Sequence, residues 1–273
     1  MVRVVINLLF IGMVVILAGC DGAQDSTALW EKVKFGDLAP PDPNTGMPRG
    51  YLRSVSLDIY IFETPAEKFA KLNDIWKLLK PGIHTFSSRG NLKFNDYQAF
   101  NTNAFYMSPG DMDNWDEIGN ILRRTGSKKI KAFSFLIMDG KSDELVIYEF
   151  DKQRTLFYTP GNGPVEELTI GPGLIALRMT ANKVPGLRGT WDIEFVPAFM
   201  PPHSTIIAPL ARREKTNDFI FDSAGFNLKM TTGDLFYLGP AKFQDTHANL
   251  AGYFFSDPGV IRTYMVLCAR SSD

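Results

Sequence analysis

The chain has 273 residues, 45% hydrophobic and 22% charged, with a formal net charge of -1. That length carries one large domain or two small ones. The near-neutral balance lacks the basic excess that neutralising nucleic-acid phosphates demands, so no nucleic-acid partner is expected.

At the amino end a basic Arg3 precedes an apolar run from Val4 to Leu17, broken only by Asn7, and then Leu17-Ala18-Gly19-Cys20. This order of basic start, apolar stretch and small residues is that of a secretory signal peptide. An uncleaved anchor is the alternative, but spanning a hydrocarbon core takes roughly 20 apolar residues and this run is shorter. Leu17-Ala18-Gly19-Cys20 resembles the bacterial lipobox. That resemblance implies cleavage after residue 19 and a mature protein beginning at Cys20, which carries acyl chains. Each buried methylene is worth about 0.8 kcal/mol, and two or three chains hold where one is marginal. The first expected partner is therefore the membrane itself, through the lipids on Cys20, with the body facing the periplasm or the exterior. Asp21, directly after the cysteine, resembles the inner-membrane retention signal of enteric-type bacteria, which leaves the choice between inner and outer membrane open. With Cys20 lipidated, Cys268 is the one remaining thiol and no intramolecular disulfide forms.

Residues 20–50 read as a tether, polar at first and then proline-rich over Pro40-Pro41-Asp42-Pro43 and Gly46-Met47-Pro48. About 30 flexible residues span on the order of 30 Å, enough to lift the body off the lipid surface. Within the tether, Leu29 to Phe35 reads either as a short docking element or as a turn packed on the body. Leu57 to Phe62 has the β-branched and aromatic content of a strand. Thr64-Pro65-Ala66-Glu67 then predicts a helix start, with Thr64 as N-cap and Glu67 at the capping-box position. Phe69, Leu72, Ile75, Trp76 and Leu79 continue it at helical spacing up to Lys80-Pro81-Gly82. Asn91 to Met107 is expected to supply one or two short strands. A second helix is predicted over Met112–Thr125, with Trp115, Ile118 and Leu122 on one face and Gly126 at its end.

From there the pattern changes to strands separated by turns. They are predicted at Lys131–Met138, Leu145–Phe150, Leu156–Tyr158, Glu167–Ile170, Leu174–Ala181 and Thr190–Val196, with turns at Asp139-Gly140 and Pro185-Gly186. After a proline-rich loop from Pro197 to about Thr216, more strands follow at Phe219–Phe221, Phe226–Met230, Leu235–Leu238, Tyr253–Phe255 and Val260–Cys268. The fold class is therefore α+β, with strand-helix units over 51–126 followed by a β-rich, sandwich or barrel-like part over 127–273. Periodicity alone leaves open whether the two parts share one core.

The motifs that carry chemistry are missing. His84, His203 and His247 are scattered, with no partner at metal-ligand spacing, and no Cys-x-x-Cys or Gly-x-Ser-x-Gly occurs. Gly161-Asn162-Gly163 is followed by Pro164 and reads as a turn rather than a phosphate cradle. Asp111, Asp113, Asp116 and Glu117 look metal-like, but Trp115 and Asp116 stand where a calcium loop needs an oxygen ligand and a glycine; acids in a first helical turn complement the helix dipole. Asp139, Asp143 and Glu144 read as a solvated hairpin turn. Cys268 lies in an apolar run with no histidine beside it, the setting of an inert buried thiol. Trp76 and Trp115 fall on helix core stripes, and Trp191 alternates with Ile193 and Phe195 on one strand face, so packing is expected before glycan stacking. No catalytic, cofactor-binding or metal-binding residue is assigned; the single assigned site is the lipidation of Cys20.

The body is similar to uncharacterised envelope lipoproteins of planctomycete-type bacteria in Leu72-Asn73-Asp74-Ile75-Trp76, Ile170-Gly171-Pro172-Gly173 and Leu238-Gly239-Pro240, a resemblance that implies an envelope location and no activity. At fold level, its strand-helix units followed by strands also resemble ring-building modules of secretion machinery. The expectation is thus a lipid-anchored, non-enzymatic interaction or assembly component with an envelope protein partner. The competing class is an envelope hydrolase or small-ligand or glycan-binding module whose site forms only in the fold.

Overall fold

The computed structural model describes residues 53–79, 92–161, 163–202, 218–242 and 248–272. The signal peptide, Cys20, the tether, Trp30 and all three histidines lie outside these residues. Contacts divide the chain between Leu52 and Arg53, and everything below concerns the second unit.

In chain order the described strands are β1 (Ser54–Pro65), β2 (Leu92–Phe94), β3 (Phe105–Asp111), β4 (Lys128–Met138), β5 (Lys141–Phe150), β6 (Arg154–Tyr158) and β7 (Glu166–Ile170). They continue with β8 (Gly173–Lys183), β9 (Trp191–Met200), β10 (Phe219–Ile220), β11 (Phe226–Met230), β12 (Asp234–Pro240), β13 (Ser256–Asp257) and β14 (Val260–Ser271). The helices are α1 (Phe69–Leu78), α2 (Tyr97–Thr102), α3 (Trp115–Arg124) and α4 (Leu250–Phe255).

The alternation in β1 explains its position. Val55, Leu57, Ile59 and Ile61 point to one side and Tyr60 and Phe62 to the other, and both sides are covered. A strand apolar on both faces belongs inside a sheet, and β1 lies between β14 and β4 in the order β3-β12-β14-β1-β4, with β13 beside β14. The second sheet runs β2-β11-β9-β8-β5, with β10 beside β9, and β6-β7 form a separate hairpin. All of these ladders are antiparallel.

The two larger sheets face each other across one core. Leu57, Ile59, Phe236, Val266 and Cys268 of the first meet Ile175, Met179, Trp191, Ile193, Phe195 and Phe226 of the second. Phe195 crosses the seam, stacked on Phe226 at 5.1 Å and edge-on to Phe236 at 4.8 Å. On the far face of the first sheet, Leu235, Tyr237 and Met265 meet the apolar stripes of α1 (Leu72, Ile75, Trp76) and α3 (Ile118, Ile121, Leu122). The arrangement is three layers, helices on sheet on sheet. Fully burying each of these larger side chains is worth about 1.5–3 kcal/mol. The α+β expectation holds in its coarser form, a strand-dominated sandwich with a few helices. Each sheet contains strands from both 51–126 and 127–273, and residues of both stretches meet in the core between the sheets, so the two stretches share one core.

Several local expectations are corrected. Thr64 does not cap α1: β1 runs on through Pro65, a 3-10 turn over Ala66–Lys68 follows, and the Thr64 hydroxyl bonds Ser127 Oγ at 2.6 Å. Tyr253–Phe255 is helical, because Leu250–Phe255 is buried on every side and such a short apolar run has no periodicity to betray it. Its one polar signal is Asn249, whose side chain accepts from the Gly252 N–H at 2.8 Å. Tyr253 touches Tyr148 and Phe150 of β5 while Phe254 and Phe255 touch Phe105 of β3, so α4 closes the core between the sheets. The Asn91–Met107 stretch holds a helix, α2, as well as strands; the Asp96 carboxylate caps it by accepting from the Ala99 N–H at 2.9 Å. Strand β9 continues past Pro197, which sits where β11 ends and β10 begins as its neighbour, so the missing N–H interrupts no ladder.

The β4–β5 connection carries the chain from the edge of one sheet to the edge of the other. Asp139 N–H donates to Arg53 O at 3.0 Å in the first sheet, and Gly140 N–H donates to Ala181 O at 2.9 Å in the second. Gly140 takes φ +70°, a conformation that costs a glycine little.

Candidate functional site

The residues that looked like chemistry in the sequence have structural work in the fold. Asp111 caps the 3-10 turn Met112–Asn114 by accepting from the Asp113 N–H at 3.0 Å, and Asn114 Oδ1 accepts from the Asp111 N–H at 3.3 Å. Asp113, Asp116, Glu117, Asn120, Arg123 and Arg124 line a depression along α3 that is open to solvent. Its acids stand at the amino end of the helix and its arginines at the carboxyl end, the order that complements the dipole. Among the described residues no cluster of three His, Cys, Asp or Glu side chains is placed to hold a metal ion.

In the hairpin group, Asp139 accepts from the Lys183 N–H at 2.9 Å, and Glu144 pairs with Arg178 at 3.0 Å. Burial works against the charge of Arg178, but the carboxylates of Asp218 and Glu144 outweigh it and hold the guanidinium above its ordinary pKa. Cys268 is buried; burial, with the Asp234 charge adding to it, pushes its thiol up to about 12. A thiol so placed stays protonated and is no nucleophile at neutral pH. Trp76 and Trp191 are buried, and Trp115 packs edge-on to Tyr60 at 5.5 Å.

What the fold does expose is strand β4. It has one ladder partner among the described residues, β1, and so forms the edge of the first sheet. Ile130, Phe133, Leu136 and Met138 are exposed along it, Leu136 by 64%. Phe133 and Phe135, with ring centroids 6.2 Å apart, lie on the sandwich side together with buried Ile137, opposite Ile59, Leu57 and Val55. Ala132, Ser134, Leu136 and Met138 lie on the other side. Lys128, Lys129 and Lys131 give the first half of the strand its positive charge, and the Lys129 ammonium stands 5.5 Å over the Tyr60 ring.

An edge strand presents unpaired N–H and C=O groups to any chain that can add to it. In the sequence, Ala132-Phe133-Ser134-Phe135-Leu136-Ile137-Met138 is apolar on both faces, which reads as double-sided burial. Its place at the edge follows from pairing with residues some 70–85 positions earlier, and no local pattern encodes that.

No family model matches the chain, and no curated protein matches it significantly. Among solved structures it is similar to the InvG secretin domain β-barrel from the Salmonella SPI-1 injectisome, with a TM-score of 0.24 and 12% identity over 81% of this chain. It is also similar to the V. cholerae type IV competence pilus secretin PilQ, with a TM-score of 0.20 and 8% identity over 79% of this chain. The chain spans 64% and 58% of the lengths of those two chains. Likeness at this level carries no argument about function or location. Among the described residues no helix is long and apolar enough to cross a membrane.

Proposed function

We propose that this chain is a lipid-anchored envelope protein, held to the membrane by acyl chains on Cys20, whose body is a non-enzymatic interaction or assembly component. The observation that carries the interaction reading is the edge of β4, where exposed Phe133, Leu136 and Met138 line a strand with no second ladder partner among the described residues. The anchor reading rests on the lipobox-like Leu17-Ala18-Gly19-Cys20 and on the proline-rich tether that follows. Buried Asn103 bonds Thr159 and buried Tyr237 bonds Thr263, contacts that hold the fold.

The test extracts the full chain from membranes in mild detergent and measures the mass of its particle and of the mature polypeptide. The expected results are a particle heavier than one chain plus its micelle, and a polypeptide that starts at Cys20 with diacylglycerol attached. A Cys20→Ala variant is expected to lose both processing and lipid. A lone monomer with a ligand-dependent activity would overturn the assembly reading, and an unmodified Cys20 the anchor.

A further inference from the structure

Strand β4 is protected along one half and open along the other. Three lysines crowd its start, and a register shift opposite Ile61 and Phe62 leaves Ile130 without a partner; lysines and bulges are devices that blunt a sheet edge. From Lys131 to Met138 the ladder with β1 is regular, and after Lys131 the run contains no charge, proline or glycine. Nothing in this second half discourages another strand, and its exposed side chains favour one.

We propose that Lys131–Ile137 pairs with the same run of a second copy of the chain, antiparallel about a twofold axis at Ser134, joining the two first sheets edge to edge. The proposal rests on the assembly reading above and names its partner. About this axis Lys131 stands opposite Ile137 of the other copy, Ala132 opposite Leu136 and Phe133 opposite Phe135. Each pair shares a face of the joined sheet, because the register preserves the two-residue period. No lysine opposes a lysine, and Lys128 and Lys129 of each copy come beside the Asp139 turn of the other. An acidic strand from an unlike protein would suit only the lysine half and would set charges against Phe133, Leu136 and Met138. The self-complementary pairing satisfies both halves, as a twofold interface requires.

Seven residues at about 3.4 Å each span roughly 24 Å. One strand pair of that length falls at or below the low end of the ~1,200–2,000 Å² of stable interfaces. The association is accordingly weak in dilute solution and is promoted when both copies are tethered to one membrane, where their effective concentration is high.

The experiment uses the full chain in its membrane and oxidative cross-linking of introduced cysteines; Cys268 is buried and gives no background. Ser134→Cys is expected to give a disulfide-linked dimer at least tenfold above the unsubstituted chain. Chains carrying Ala132→Cys are expected to link to chains carrying Leu136→Cys in preference to themselves. Adding Phe133→Glu to Ser134→Cys should return the dimer to background, with native circular dichroism showing that the fold survives. Absence of both the Ser134→Cys dimer and the link between Ala132→Cys and Leu136→Cys chains overturns the proposal. If the native particle is nonetheless heavy, with unlike subunits, the assembly reading stands without this partner; a lone monomer in detergent that also gives no cross-link in the membrane removes both.

Discussion

The indole of Trp76 stands edge-on to the ring of Tyr237, with centroids 4.9 Å apart, and the phenol of Tyr106 closes on the same indole at 4.7 Å. Trp76 is thereby the contact that seats α1 on the first sheet. Truncating a buried aromatic removes its burial and leaves a cavity, so Trp76→Ala is expected to cost about 3–5 kcal/mol in urea unfolding. Tyr237→Phe keeps the ring but deletes a buried hydroxyl that donates to Thr263 Oγ1 at 2.6 Å. Its expected cost is smaller, about 1–2 kcal/mol.

Gly173 opens β8 at φ +153°, and a Cβ there would lie 2.4 Å from the Met200 carbonyl oxygen and 2.8 Å from the Phe199 ring. The carbonyl belongs to the paired strand β9 and cannot swing aside as a side chain could. Backbone strain and overpacking combine, so Gly173→Ala is expected to cost about 3 kcal/mol or more. Thermal unfolding followed by circular dichroism checks this, with Gly119→Ala as the control, since nothing lies within 4 Å of a Cβ at that position.

Asn103 is a buried polar residue with three hydrogen bonds. Its Nδ2 donates to Ala99 O and Thr159 O, each at 2.9 Å, and its Oδ1 accepts from the Thr159 N–H at 2.9 Å. This side chain binds the end of α2 to the chain just after β6. Asn103→Ala would strand the Thr159 N–H, while the Thr159 carbonyl keeps the Ser223 hydroxyl as a donor at 2.8 Å, and an unsatisfied buried group costs about 1–3 kcal/mol. A loss of about 2 kcal/mol is expected, together with faster amide exchange at Thr159, measured by hydrogen exchange.

Local patterns made the layers legible, and long-range pairing did not. The alternation of Trp191, Ile193 and Phe195 and the stripe of Leu72, Ile75 and Trp76 are one- and two-turn signals, and each residue is buried where its period implied. Asn103 and Thr64 gave no such signal, because their partners Thr159 and Ser127 lie about 60 positions away. The same limit hid the candidate surface. Phe133, Leu136 and Met138 were readable as strand residues, but their exposure depends on which strands flank β1, and one of those, β14, lies some 200 residues further on.

The thiol of Cys268 gives the fold a specific alkaline weakness. Burial among Leu57, Val266 and their neighbours, helped by Asp234, raises it from 9.0 to about 12. The folded state thus keeps its proton where the unfolded chain releases it. Stability from this group is complete below pH 9 and is lost as pH rises from 9 towards 12, at about 1.4 kcal/mol per pH unit. Burial raises Tyr237 and Tyr264 as well, which steepens the loss at the upper end of that window. Between pH 8 and pH 10.5, urea unfolding is expected to show a fall in stability about 2 kcal/mol larger than that of a Cys268→Ala variant, which keeps the tyrosines. The variant starts less stable at pH 8 because the sulfur's volume is lost, but its slope with pH is the flatter of the two. At pH 8 the native thiol is expected to resist a thiol reagent that modifies it completely in 8 M urea, since the reaction needs both exposure and the thiolate. Rapid labelling of Cys268 in the native protein would mean that β14 opens locally, and the alkaline loss would then track that opening instead of global unfolding.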